Sequence, residues 1–218
     1  MSTKKIFENT EIAFALKNDA HLERAYFLFK MISNEPLVRI GTAATNFALK
    51  ANLPIEGLIR STVFDHFCGG VNEEDCLPVI ESMYTKGVSS VLDYSVEGKA
   101  SENQFDDALE KILKIVSFCY EREAMPIVVF KPTAFGRFYL YEKKSEGIRL
   151  SPEEQAEWDR IVNRFRKVCK LAKEKDVEVL IDGEESWMQP AADELVEDMM
   201  RKFNTEKAIV YNTLQLYR

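Results

Sequence analysis

The sequence predicts an α/β fold: a wholly helical arm over residues 1–87, then four strand–helix units of one parallel sheet over 88–218. Three observations carry this. Apolar residues recur at helical spacing up to Lys86, and beyond Gly87 the pattern changes to short β-rich runs alternating with long amphipathic stretches. The four runs lie too far apart for hairpins, and strand–helix–strand connections place successive strands parallel. A composition of 46% hydrophobic and 30% charged residues is that of a globular protein and excludes disordered, collagenous and membrane-spanning chains.

In the arm, Ile12, Leu16, Leu22, Tyr26 and Phe29, and later Phe47 and Ala51, mark amphipathic helices. Breaks fall at Asn34-Glu35-Pro36, Asn52-Leu53-Pro54 and Gly69-Gly70. The first strand is expected from Val88 to Tyr94, with a helix from about Ser101 to Arg122 behind it. The second is Pro126 to Lys131. Its helix begins at Ser151-Pro152-Glu153-Glu154, a capping box with proline at the first helical position. The third runs from Val177 to Asp182, followed by a helix from Met188 to Phe203, and the fourth from Ala208 to Asn212. The nearly continuous apolar cores of the second and fourth runs predict strands buried on both faces.

Acidic residues outnumber basic ones, 36 to 29, and the resulting charge of −7 argues against general binding of nucleic acid or anionic lipid. Cys68, Cys76, Cys119 and Cys169 form no C-x-x-C pair and read as buried or partly buried free thiols in a reducing compartment. His21 and His66 are too few, and too far from the cysteines, to predict a zinc site, so no metal is expected. Between Met1 and Ala20, Lys4, Lys5, Glu8 and Glu11 interrupt every apolar stretch, which fits neither a secretory signal nor an acid-poor transit peptide. No window approaches the roughly 18–20 apolar residues of a membrane span, and a cytoplasmic location is expected.

Each apolar run ends in a polar residue: Asp93, Lys131, Asp182 and Asn212. Ligands of parallel α/β folds sit at the carboxyl ends of the strands, in barrels and open sheets alike, so these four residues predict one pocket. The plainer reading is that they mark where strands meet water. Lys131, closing Ile-Val-Val-Phe, calls for an anion: a substrate carboxylate, a phosphate or Asp182. Two other readings stand beside it, a lowered pKa suited to a Schiff base and a side chain that simply snorkels to solvent. Asp182-Gly183-Glu184-Glu185 places three carboxylates just after a strand, as a catalytic or cofactor-orienting Asp182 or a magnesium site. Glu185 is read instead as helix-start chemistry. Asp93-Tyr94-Ser95-Val96-Glu97 admits the same readings, with the plain one favoured. Pro132 ends the ladder directly after Lys131 and turns the chain outward. The chain carries no G-x-G-x-x-G, Walker or G-x-S-x-G pattern and no strand-end histidine, which disfavours Rossmann, P-loop and serine-hydrolase chemistry.

Four segments in order carry a family likeness. Phe130-Lys-Pro-Thr-Ala-Phe-Gly-Arg137 resembles the K-[LP]-T-A-x-G-R segment of proline dehydrogenases, and Leu180-Ile-Asp-Gly-Glu-Glu-Ser-Trp-Met-Gln-Pro190 their D-[AG]-E-x-x-x-x-Q-P stretch. Lys202-Phe-Asn204 with Val210-Tyr-Asn-Thr-Leu-Gln215 is similar to their K-F-N…[IV]-x-N-T-x-Q run, and Val91 to Glu97 fits their first barrel strand. The resemblance implies a distorted (βα)8 TIM-type barrel with FAD at its carboxyl mouth. It also implies oxidation of L-proline to 1-pyrroline-5-carboxylate by hydride transfer to the flavin, with a quinone as electron acceptor. Peripheral membrane contact is compatible with that chemistry. Carried over by position, Lys131 matches the lysine that binds the proline carboxylate and Asp182, the catalytic candidate, the aspartate beside the flavin. Gly183 and Asn212 match positions that line the isoalloxazine.

The family's later motifs are absent: the R-G-A-Y-like fifth strand, the adenine-side contacts and the helix with paired arginines. A (βα)8 barrel takes about 250 residues. The expectation is therefore the first half of such a barrel, strands one to four, behind a helical arm. Such a half-barrel is expected to be inactive alone, and to need a missing half or self-association through its open edges. Two alternatives are a Schiff-base aldolase using Lys131 and a non-catalytic half-barrel that binds or assembles.

Overall fold

Three asparagines set the helix starts at the beginning of the chain. The computed structural model describes residues 8–94 and 100–217, and the chain divides into two compact units, Met1–Met83 and Tyr84–Arg218. In the first unit Asn9, Asn18 and Asn34 accept from the backbone N–H of Ile12, His21 and Leu37 at 3.1, 2.9 and 3.3 Å. They cap helices α1 (Thr10–Ala13), α2 (Asp19–Ile32) and α3 (Glu35–Lys50), as expected of short polar side chains at that position. The break expected at Asn34-Glu35-Pro36 is thus a helix start. After it come α4 (Glu56–Ile59), a π-turn (Arg60–Phe64), α5 (Asp65–Phe67) and α6 (Glu73–Tyr84). The apolar periodicity does make helices, but it does not make a core here: α1 to α5 hold no buried residue, and Tyr26 and Phe47 are 70% and 71% exposed. Lys4 and Lys5 lie outside the described residues.

The second unit alternates strand and helix: β1 (Leu92–Asp93), α7 (Glu102–Cys119), β2 (Ile127–Phe130), a 3₁₀ turn (Pro132–Ala134), α8 (Phe138–Ser145), α9 (Pro152–Lys175), β3 (Glu178–Ile181), α10 (Gln189–Phe203) and β4 (Val210–Asn212). The four strands pair in sequence order and all are parallel. The capping box at Ser151 forms as the sequence predicts, with Glu154 N donating to Ser151 Oγ at 3.2 Å and Ser151 N to Glu154 Oε2 at 2.9 Å. The first strand is shorter than the expected 88–94 because it lies at the sheet edge and pairs only through Leu92 and Asp93. Ser95, Val96 and Glu97 of the expected strand and acidic stretch lie outside the described residues.

α7 packs on β2, α9 on β3 and α10 on β4, while α9 touches both α7 and α10, so the three helices form one layer. The strands record this as alternation. Val128, Phe130, Val179, Ile181 and Val210 are buried, whereas Ile127, Val129, Glu178, Leu180 and Tyr211 are half-exposed. The expectation of burial on both faces is therefore corrected: one face meets the helices, and the other is uncovered among the described residues. Phe130 lies on the helix side, 5.2 Å from the Phe165 ring of α9. Helix α8 was not expected at all; it occupies the connection between the Lys131 segment and α9.

Candidate active site

Register decides which strand-end side chains meet. Phe130, Ile181 and Asn212 are paired in one row across β2, β3 and β4. One residue further, Lys131 and Asp182 follow, and the residue that keeps step with them on the fourth strand is Thr213. Side chains alternate faces along a strand, so Lys131 and Asp182 share the uncovered face with Val129 and Leu180. Asn212 belongs to the helix face, and its Nδ2 donates to Asp193 Oδ1 of α10 at 2.9 Å. Asp93 pairs with Val129, two residues before Lys131, and is exposed. The four polar ends therefore divide. Lys131 and Asp182, with Gly183, line one cavity of about 440 Å3 at the mouth; Asp93 and Asn212 do not.

The cavity contains residues that strand-end reasoning passed over. Glu184 accepts from Thr133 twice, from its backbone N at 2.9 Å and from its Oγ1 at 2.6 Å, joining the loops after β2 and β3. Gln215 Nε2 donates to the Glu184 carbonyl at 2.9 Å, joining the segment after β4. Thr133 and Gln215 both stood inside quoted motifs, and counting register from the paired strands would have reached Thr213. Glu185 does not serve as a helix-start acid, because α10 begins only at Gln189. Its carbonyl instead accepts from Met188 N and Gln189 N, both at 3.1 Å.

The lysine-bearing loop is fixed from beneath. Tyr141, fully buried, donates through its hydroxyl to the Pro132 carbonyl at 2.7 Å, and burial pushes its pKa well above the ordinary 10. Arg164, 3% exposed, donates to the Phe135 carbonyl at 3.0 Å while pairing with Glu102 and Asp106 of α7 at 2.6 and 2.7 Å. Arg137 pairs with buried Glu157, its Nε donating at 2.7 Å. Between these ties, Gly136 lies against Ile161 so closely that a Cβ there would come within 2.1 Å of its Cδ1. Any side chain there would have to displace that of buried Ile161.

Burial pushes the Glu184 carboxyl above its ordinary 4.5; the Thr133 hydrogen bonds and the charge of Lys131 pull the other way, and Glu185 adds to the rise. Glu184 is thus a carboxylate that feels the charge of Lys131 directly. The folded chain holds this proton to a higher pH than the unfolded chain does. Between 4.5 and the raised value the native state binds more protons, so stability falls as pH rises through that window. Thermal melts across the acid-to-neutral range should show wild type losing ground to Glu184→Gln as pH increases above 4.5. Parallel pH profiles for the two proteins would contradict this.

The group implied by the sequence resemblance is a flavin, and the mouth offers it partners. Gln215 Oε1 and Thr213 Oγ1 are buried without a hydrogen-bond partner among the described residues. An imide N–H and ring carbonyl oxygens, the polar edge of an isoalloxazine, match an amide oxygen and a hydroxyl in kind. At Gly183 a Cβ would reach the Gln215 side chain at 3.3 Å, so the glycine keeps that wall flat.

The model of the proline dehydrogenase family matches residues 76–218. The chain belongs to the proline dehydrogenase family. It is 36% identical over 162 residues to the carbapenem antibiotics biosynthesis protein CarD of Pectobacterium carotovorum subsp. carotovorum, a match covering 74% of this chain and 43% of that protein. It is 26% identical over 226 residues to proline dehydrogenase 1, mitochondrial, of Arabidopsis thaliana, covering 84% of this chain and 45% of the plant protein. This proline dehydrogenase family chain therefore spans less than half the length of these relatives. In fold it is similar to proline utilization A (PutA) from Bdellovibrio bacteriovorus, in a structure inactivated by N-propargylglycine, with a TM-score of 0.61 at 19% identity. That match covers 100% of this chain and 24% of PutA.

Proposed function

We propose that the four strands are the first half of a (βα)8 barrel whose mouth oxidises L-proline to 1-pyrroline-5-carboxylate with FAD. The observation that carries this reading is the register row Lys131–Asp182–Thr213, with Gln215 beside it, in a chain whose family is proline dehydrogenase. Lys131 binds the substrate carboxylate, because an ammonium at the end of an apolar strand finds its strongest partner in a carboxylate brought to it. Asp182 orients the lysine and the flavin edge; its own Oδ1 accepts from Gly183 N at 3.0 Å, which fixes the carboxylate against the loop. Gly183 lines the ring face, and Asn212 contributes through the Thr213 segment that it anchors. FAD held against Gly183 and at Gln215 would supply the hydride acceptor for the proline ring and the onward passage of electrons to a quinone. Neither histidine nor a metal is needed for these roles.

Catalysis requires the closed mouth. β1 and β4 have no outer strand partner among the described residues, and a half-walled site admits water. Closure comes from four further strands, in the same polypeptide or by pairing of edges between chains. The test is the flavin absorbance of the purified chain after incubation with FAD, and the rate at which L-proline bleaches it. The chain should take up FAD and be reduced far more slowly than the Arabidopsis relative assayed beside it. A chain that takes up no flavin, or one whose lysine is trapped by borohydride with a carbonyl substrate, would overturn the proposal.

A further inference from the structure

Helix α10 carries a polar cluster that faces the mouth from behind, at the level where β4 ends. Gln189, 2% exposed, accepts at Oε1 from Glu184 N at 2.8 Å and donates from Nε2 to Asp193 Oδ1 at 2.8 Å. Asn212 accepts at Oδ1 from Thr213 N at 2.9 Å and donates from Nδ2 to the same Asp193 oxygen at 2.9 Å. The orientation of both amides is forced. A backbone N–H can only donate, so each amide must turn its oxygen to the backbone and its nitrogen to Asp193, and only an acceptor can stand there. The Gln215 bond to the Glu184 carbonyl closes the ring on the mouth side. Asp193 itself lines no part of the cavity.

We propose that Asp193 is a positioning residue for the mouth: by accepting from Gln189 and Asn212 together, it holds the Glu184 and Thr213 backbones at a fixed separation and so sets the place of the Gln215 and Thr213 oxygens that lack a partner among the described residues. The effect on ligand rests on the reading of the mouth as a flavin site. Loss of the acceptor leaves the buried Gln189 amide and the half-buried Asn212 amide each without its partner and frees Asn212 to turn over, which releases Thr213 N.

FAD is titrated into the wild-type chain and into Asp193→Ala and Asp193→Asn, following the quenching of flavin fluorescence, with a thermal melt of each. Asparagine still offers an oxygen to both amides; alanine offers none. Asp193→Ala should weaken FAD by about tenfold or more at a temperature where the melt shows it folded, while Asp193→Asn keeps most of the affinity. Equal affinity in wild type and Asp193→Ala overturns the proposal, as does an asparagine variant that loses as much as alanine. If the wild-type chain takes up no FAD, the flavin reading falls, and the positioning role is judged on the side-chain amides of Gln189 and Asn212 by NMR. Slow hydrogen exchange in wild type and Asp193→Asn but fast exchange in Asp193→Ala supports it; no difference between the three overturns it.

Discussion

Lys131→Met should lower the affinity of the FAD-loaded chain for L-proline by about ten- to hundredfold, the equivalent of one charge-assisted contact of about 1.5–3 kcal/mol. Methionine keeps the length and the apolar stem of lysine and removes only the ammonium. The loss is that of a hydrogen bond to a charged group, and Lys131 is half-buried on the face it shares with Val129 and Leu180. The fold should be little affected, since the loop is also tied through Pro132, Phe135 and Arg137. Perturbation of the flavin absorbance by added L-proline measures the affinity. Binding of proline to Lys131→Met at wild-type strength would remove the lysine from the site.

The second large effect concerns the core beneath. Phe165→Ala should destabilise the second unit by about 3–5 kcal/mol, the cost of emptying a fully buried aromatic site, and lower the melting temperature by on the order of 10 °C. Phe165 is 0% exposed and stands edge-on to both Phe130 and Phe135, with ring centroids 5.2 and 5.5 Å away. Phe130 immediately precedes Lys131, and the Phe135 carbonyl is the one that Arg164 holds. The cavity therefore opens directly under the lysine loop, and FAD uptake should fall along with stability. A variant melting within about 2 °C of wild type would show that the three rings do not form the support described.

Much of the fold was legible because strands buried against helices need apolar runs and helices need caps. The four runs, their parallel order and the capping box at Ser151 all followed from that chemistry. Burial on both faces did not, since Ile-Val-Val-Phe reads the same whether its second face is covered or open; alternation is visible only in the burial of Val128 and Phe130 against Val129. The site was half legible for the same reason. Lys131 and Asp182 end equally long runs, but Asn212 ends one residue earlier in register, and a single-residue step turns a side chain to the opposite face. Sequence reasoning therefore put Asn212 in the mouth, whereas its register sets it in the helix-facing row with Ile181. Helix α8 escaped notice because only Leu140 and Tyr141 within it are buried, too few to make a periodic stripe. In the first unit periodicity identified helices but not a core, since Tyr26, Phe29 and Phe47 stay exposed.

Lys131, Asp182, Gly183 and Gln215 are proposed to compose a flavin and proline site. A crystal structure of the chain grown with FAD and a cyclic carboxylate inert to oxidation tests it most directly. The isoalloxazine should lie against Gly183 with its polar edge at Gln215 Oε1 and Thr213 Oγ1, and the carboxylate should lie at Lys131 Nζ. Flavin bound elsewhere on the chain, or a carboxylate remote from Lys131, would contradict the account.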